Sequence, residues 1–100
     1  MTGADRESVS SAGTVTVRYW ASARSAAGVE SDSVRLREGS TLADVLMAVR
    51  DLHGDRPRLA EVVAVCSVLV GDRPVGSADP STVGLVDGDV VELLPPFAGG

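Results

Sequence analysis

Residues 41–54 read TLADVLMAVRDLHG, and the structure assigned to this stretch decides what the rest of the chain packs against. Thr41 followed three residues later by Asp44 has the pattern of a capping box, with Asp in place of Glu. Leu42, Val45, Leu46, Val49 and Leu52 recur at helical spacing on one face. Gly54 stands where a helix stops, just after His53, whose imidazole is placed to interact with the helix C-terminus. The stretch therefore predicts a helix beginning after Thr41, with one apolar side that needs a sheet to lie on.

That sheet is legible on both flanks. Upstream, TVTVRYW (14–20) alternates, with Val15, Val17 and Tyr19 on one side and Thr16, Arg18 and Trp20 on the other, as a half-buried strand does. After ASARSAAG (21–28), Ser33 to Arg37 alternates again with Val34 and Leu36 inward, which predicts a hairpin with a long, irregular connection. Downstream, Leu59, Val62 and Val63 suggest a second short helical turn. The mostly apolar VCSVLVG (65–71) reads as a strand beginning at Cys66. GDRPVG (71–76) reads as a turn into a short strand around Pro74 and Val75, an edge strand because of its proline. Asp87-Gly88-Asp89 is a turn that launches a last strand, Val90 to Leu94, with Val91 and Leu93 facing one way and Val90, Glu92 and Leu94 the other.

The order strand, strand, helix, strand, short strand, strand predicts an α+β fold, one mixed sheet with the main helix packed across one face. Ubiquitin-like β-grasp domains have this layout. Order alone leaves a ferredoxin-like domain open, but that fold wants a second full crossover helix, for which the segment after Gly54 is too short. The chain divides into a disordered arm (1–13), a β-grasp domain (14–94) and an extended tail (95–100).

Composition bounds what such a domain does. At 100 residues it holds one core, and with 44% hydrophobic but 3% aromatic residues that core is built from Val, Leu and Ala. The net charge of −5 disfavours nucleic acid and anionic membranes. All 9 basic residues are Arg, so no lysine amine exists for acylation and the only primary amine is N-terminal. The polar stretch 1–13 lacks the apolar segment of a signal peptide. No run approaches the ~20 apolar residues of a membrane-spanning helix. A single Cys forms no internal disulfide, and these readings together point to a cytoplasmic protein.

The ending ELLPPFAGG (92–100) is the unusual feature. Pro95-Pro96 lacks two backbone donors and fixes φ, which ends the sheet pairing and projects the chain stiffly outward. The six residues from Pro95 to Gly100 reach roughly 20 Å when extended, enough to enter a neighbour's pocket. Gly99 and Gly100 carry no side chains, so they fit a narrow channel and admit a close approach by a nucleotide or a partner's backbone. The Gly100 carboxylate is ionised at neutral pH and is a poor electrophile. Adenylation by a partner would make it a mixed anhydride, open to attack by sulfur to give a thiocarboxylate or by an amine to give an amide.

The strand VRYWA, the helix after GSTLADVL, the turn and strand LVDGDVVELLPP and the terminal PPFAGG together resemble the small, sulfur-carrying subunit of molybdopterin synthase, of the ubiquitin-like β-grasp sulfur-carrier family. The resemblance runs over about Thr14 to Gly100. It implies that Gly100 is adenylated by a ubiquitin-activator-like enzyme that consumes ATP, then thiocarboxylated with sulfur delivered by a sulfurtransferase from a cysteine-derived persulfide. It further implies that the tail, Pro95, Pro96, Phe97, Ala98 and Gly99, inserts into the large synthase subunit, two carriers serving a dimeric large subunit in a heterotetramer. The carrier would supply no acid, base or metal ligand and hold no permanent cofactor. Phe97 is bulkier than the small aliphatic residue expected there, and Val86 stands where a polar residue often precedes the turn. Carriers for cysteine or thiamin biosynthesis share the Gly-Gly end, and an amide-forming, ubiquitin-like protein modifier is the alternative from another class.

The remaining candidates read as follows. Trp20 and Leu94 fall by strand parity on the outer face, which suggests a partner-docking patch unless the 21–28 connection covers them. Cys66 reads as a small hydrophobe with no basic residue or second Cys nearby. Asp87 and Asp89 read as turn acids rather than a cation site. One His and one Cys make no metal centre. Arg56-Pro57-Arg58 is a solvated charge pair, too small for nucleic acid.

Overall fold

A computed structural model of the chain describes residues 13–96. The capping box forms as expected. Thr41 accepts through its side chain from the Asp44 N–H, and the Asp44 carboxylate accepts the Thr41 N–H at 2.9 Å. These two bonds satisfy donors left open at a helix start. We number the elements β1 (Gly13–Tyr19), α1 (Ala21–Ala27), β2 (Ser31–Leu36), α2 (Leu42–Leu52), α3 (Pro57–Val65), β3 (Ser67–Val70), β4 (Arg73–Pro74) and β5 (Val90–Leu94), with a 3-10 turn at Pro80–Thr82 before β5.

The sheet order is β2-β1-β5-β3-β4. β1 and β5 run parallel, and the other neighbours are antiparallel. This is the mixed sheet and crossover helix of a ubiquitin-like β-grasp fold. The parallel pair at the centre is possible because α2, α3, β3 and β4 intervene between the first hairpin and β5. Val15, Val17, Tyr19, Val34, Leu36, Val91 and Leu93 point from the sheet into one core, which Leu42, Val45 and Val49 of α2 and Leu59 and Val63 of α3 close from the other side. Within β1 and β5 the core and outer positions alternate as the sequence predicts.

Several expectations change. The 21–28 connection is not irregular but a helix, α1, that buries Ala23, Ala26 and Ala27 and closes on Gly28 at φ 80°. Alanine has the strongest intrinsic helix preference, and its small side chain lets a short helix sit close against the sheet. The segment after Gly54 holds a nine-residue helix rather than one turn, opened by Pro57, which is suited to a first helical position. Leu52 is 56% exposed. One turn beyond Val49 the buried stripe continues through His53, whose side chain is only 12% exposed, and Leu52 falls outside it. β2 begins at Ser31 and ends at Leu36, and β3 begins at Ser67 with Cys66 capping α3. β4 is the edge expected of a proline-bearing strand. The arm proposed for 1–13 lies, apart from Gly13, outside the described residues.

Candidate functional site

The site is the exit of the chain from the sheet. β5 lies between β1 and β3, with Tyr19 opposite Leu93 on one side and Ser67 opposite Leu94 on the other. Pro95 is half-buried and Pro96 exposed. Having no N–H, neither residue donates to a neighbouring strand. Phe97, Ala98, Gly99 and Gly100 lie outside the described residues.

Trp20 stands beside this exit. Its N–H donates to the Leu93 carbonyl at 3.2 Å, so the first residue past β1 continues the parallel ladder to the residue before Leu94. Its indole Nε1 donates to Glu92 Oε1 at 3.0 Å, and the Arg18 guanidinium lies 4.9 Å from the ring centroid. The ring remains 40% exposed and Leu94 half-buried, both on the side of the sheet away from the helices. α1 packs against β1 and β5 but leaves this ring uncovered. Glu92 was not a candidate in the sequence. Strand parity puts it on the outer face, but only the parallel register of β1 and β5 brings it to Trp20.

Directly beneath, on the core side, is a cluster that sequence spacing conceals. The Tyr19 hydroxyl donates to Asp32 Oδ2 at 2.8 Å, and His53 Nε2 lies 2.6 Å from the same oxygen. The rings of Tyr19 and His53 meet edge to face at 6.0 Å. Burial, followed by the hydrogen bond to Asp32 and then its charge, raises the Tyr19 hydroxyl well above its ordinary pKa of 10.0. His53 is the C-cap of α2 through its backbone N–H, which donates to the Val49 carbonyl at 3.1 Å, but its imidazole, expected to serve the helix end, turns to Asp32 instead. The cluster ties β1, β2 and α2 together below Trp20.

The other candidates behave structurally. Asp87 Oδ1 accepts the Thr14 N–H and Asp89 Oδ2 accepts the Val86 N–H, both at 2.9 Å, so each carboxylate serves the turn. A Cβ on Gly13 would collide with the Asp87 side chain, which explains a glycine at φ 118° where the strand begins. Cys66 is half-buried, and burial pushes its thiol up to about 11, away from the reactive thiolate. Among the described residues there is no group of three or more His, Cys, Asp or Glu able to hold a metal ion. No helix among them is long and apolar enough to cross a membrane. The described residues thus present a tail exit with an aromatic neighbour, above the partly buried Tyr19–Asp32–His53 cluster.

Comparison with known proteins gives the family and the fold. Residues 17–100 match the sequence model of the ThiS family. The chain is 31% identical over 86 residues to the molybdopterin synthase sulfur carrier subunit of Chlamydomonas reinhardtii, covering 86% of this chain and 98% of that protein. Its backbone superposes on the crystal structure of SAMP1, a small archaeal modifier protein of Haloferax volcanii, with TM-score 0.70 and 25% identity over 88% of this chain and 100% of the other. It also superposes on a chain from the complex of subunits 1 and 2 of the molybdopterin-converting factor of Helicobacter pylori, with TM-score 0.58 and 26% identity over 87% of this chain and 99% of that one.

Proposed function

This chain belongs to the ThiS family, and from that premise we propose that it is a sulfur carrier whose C-terminal Gly100 becomes a thiocarboxylate and donates sulfur to a pterin precursor in molybdopterin biosynthesis. The observation that carries this reading is that the family match runs through the tail to Gly100, on a fold whose last strand ends at Leu94 and runs into Pro95-Pro96 beside an exposed Trp20. The chain's role is to present its carboxylate. An activating enzyme binds ATP, the carboxylate oxygen attacks the α-phosphorus, and pyrophosphate leaves. The terminal sulfur of a persulfide attacks the carbonyl carbon and AMP leaves. A thiol then cleaves the resulting acyl disulfide to release the thiocarboxylate. The catalytic groups for these steps belong to the partners.

The large subunit of molybdopterin synthase is the proposed acceptor. The Helicobacter pylori relative is found in a complex with a second subunit, which supports a partner of this kind. Pro95 and Pro96 would direct the tail, Phe97 and Ala98 would fill the entrance of the acceptor pocket, and Gly99-Gly100 its narrow end. Trp20 and Leu94 would dock beside it. The experiment is the intact mass of untagged protein from its own host, read for replacement of one terminal oxygen by sulfur and localised to Gly100. A thiocarboxylate is expected, together with loss of sulfur transfer when Gly100 is deleted from a chain that still folds. Full activity of that truncation overturns the proposal.

A second reading rests on the likeness to SAMP1, a modifier by name. In that role Gly100 would form an amide with a lysine of another protein. Higher-mass conjugates in a host lysate that disappear on deletion of Gly100, without a thiocarboxylate on the unconjugated protein, would favour it.

A further inference from the structure

The two edges of the sheet are finished differently. β4 is two residues long and contains Pro74, which removes one edge donor. β2, at the opposite edge, is six residues long, with no proline, and no strand among the described residues pairs with its outer side. The Tyr19 N–H donates to the Glu30 carbonyl at 2.9 Å, and in an antiparallel ladder hydrogen-bonded pairs alternate with unbonded ones. Asp32, Val34 and Leu36 therefore direct their backbone groups to β1. The N–H and C=O groups of Ser31, Ser33 and Arg35 point to the open side.

The side chains along this edge form an unusual block. On the face away from the helices, Thr14, Thr16 and Arg18 of β1 lie opposite Arg35, Ser33 and Ser31 of β2, and all six are exposed. Arg35 thus stands at one corner of a patch of hydroxyls, while at the diagonal corner the Arg18 guanidinium is turned over the Trp20 ring, with Glu92 as its register partner on β5. Arg37 follows immediately and is also exposed. Of the neighbouring acids, Glu30 is paired with Arg24 at 3.2 Å, Asp32 faces the core beside Tyr19 and His53, Glu92 lies across β1 next to Arg18 and accepts from Trp20, and Glu38 lies in the turn beyond the strand. In a chain of net charge −5 the free edge is locally cationic.

We infer that β2 is a second docking site, at which an extended acidic segment of a partner protein adds as a sixth strand. Backbone pairing with Ser31, Ser33 and Arg35 supplies the register, and Arg35 and Arg37 select carboxylates. A second copy of this chain is a poor occupant. Pairing two β2 strands about Ser33 sets each Arg35 opposite the other's Ser31, with no carboxylate, and joins two chains of like net charge. β2 lies two strands from β5, about 10 Å away, so a partner can hold this edge whatever happens to the tail. The site is independent of the chemistry proposed for Gly100.

The test uses the full-length, isotope-labelled protein and an eight-residue peptide alternating glutamate and threonine, with its lysine-for-glutamate counterpart as control. The acidic peptide is expected to shift the Ser31, Ser33 and Arg35 amides and slow their hydrogen exchange, with an affinity that falls as salt is raised. Ser33→Pro removes a donor that faces away from β1 and should abolish the effect. Arg35→Glu, an exposed change that leaves the backbone intact, should weaken the acidic peptide about tenfold and admit the lysine peptide. It carries the test if Ser33→Pro fails to fold. An acidic peptide that leaves the β2 amides unmoved, a lysine peptide that binds the unaltered protein equally well, or an Arg35→Glu protein that keeps the original preference overturns the inference.

Discussion

Trp20 Nε1 donates a 3.0 Å hydrogen bond to Glu92 Oε1, which pins the ring that follows β1 across the strand from which the tail departs. The bond holds a large apolar surface in place before any partner arrives, and so lowers the ordering cost of binding. It also satisfies both polar groups, leaving the indole body as the surface a partner meets.

Trp20→Ala should therefore weaken binding to the proposed large-subunit partner by ~2 kcal/mol or more, the range of an interface hot spot, while moving the thermal midpoint little. Glu92→Ala should have a smaller effect on the same binding, since it removes the clasp and leaves the ring. Titration calorimetry and thermal melting separate the two. Binding unchanged by Trp20→Ala removes it from the docking surface.

Asp32 accepts from Tyr19 and meets His53 through one oxygen, so its loss strands two partly buried polar groups. Asp32→Ala should lower stability by about 1–3 kcal/mol in urea denaturation, and Tyr19→Phe by about 1 kcal/mol. Because the two residues share one bond, the double variant should lose less than the summed singles. Full additivity would show that the bond contributes nothing.

Alkaline titration should destabilise the fold in two stages. Cys66 and Tyr19 have folded pKa values raised above their ordinary 9.0 and 10.0, chiefly by burial. Each stays protonated in the native state while the unfolded chain ionises. Stability is thus fully present below pH 9 and falls as pH rises, first through Cys66, whose contribution is spent by about 11. Above pH 10 Tyr19 adds a slope approaching ~1.4 kcal/mol per pH unit. Denaturation midpoints measured across this range check it, and Tyr19→Phe should abolish the second stage alone.

Ala21 has φ 49°, in the left-handed region that non-glycine residues rarely occupy. The kink turns the chain from β1 into α1 directly after Trp20. Ala21→Gly relieves the Cβ clash and should raise stability by about 0.5–1 kcal/mol, the greater freedom of the unfolded glycine offsetting part of the gain. Chemical denaturation gives the value. A loss of stability would mean that the alanine conformation is unstrained.

What the sequence carried by itself is local. The Thr41–Asp44 capping box, the buried stripe of α2, the alternation of β1 and β5 and the turn acids Asp87 and Asp89 all depend on residues a few positions apart, whose spacing reflects helix or strand geometry directly. Pro95-Pro96 marked the end of the sheet because a missing N–H acts wherever it stands. α1 escaped notice because its buried side is made of Ala23, Ala26 and Ala27, too small to stand out as an apolar stripe. His53 escaped its role because the periodic reading stopped at Leu52. The Trp20–Glu92 clasp and the Tyr19–Asp32–His53 cluster were decided by tertiary structure alone. They join residues 72 and, for the His53–Asp32 pair, 21 positions apart, and no local propensity records which strands will lie side by side. Strand parity tells which face a side chain takes. Its neighbour on that face is set by strand order and register, which the whole core selects by burying Val17, Leu42, Val49, Val91 and Leu93 together.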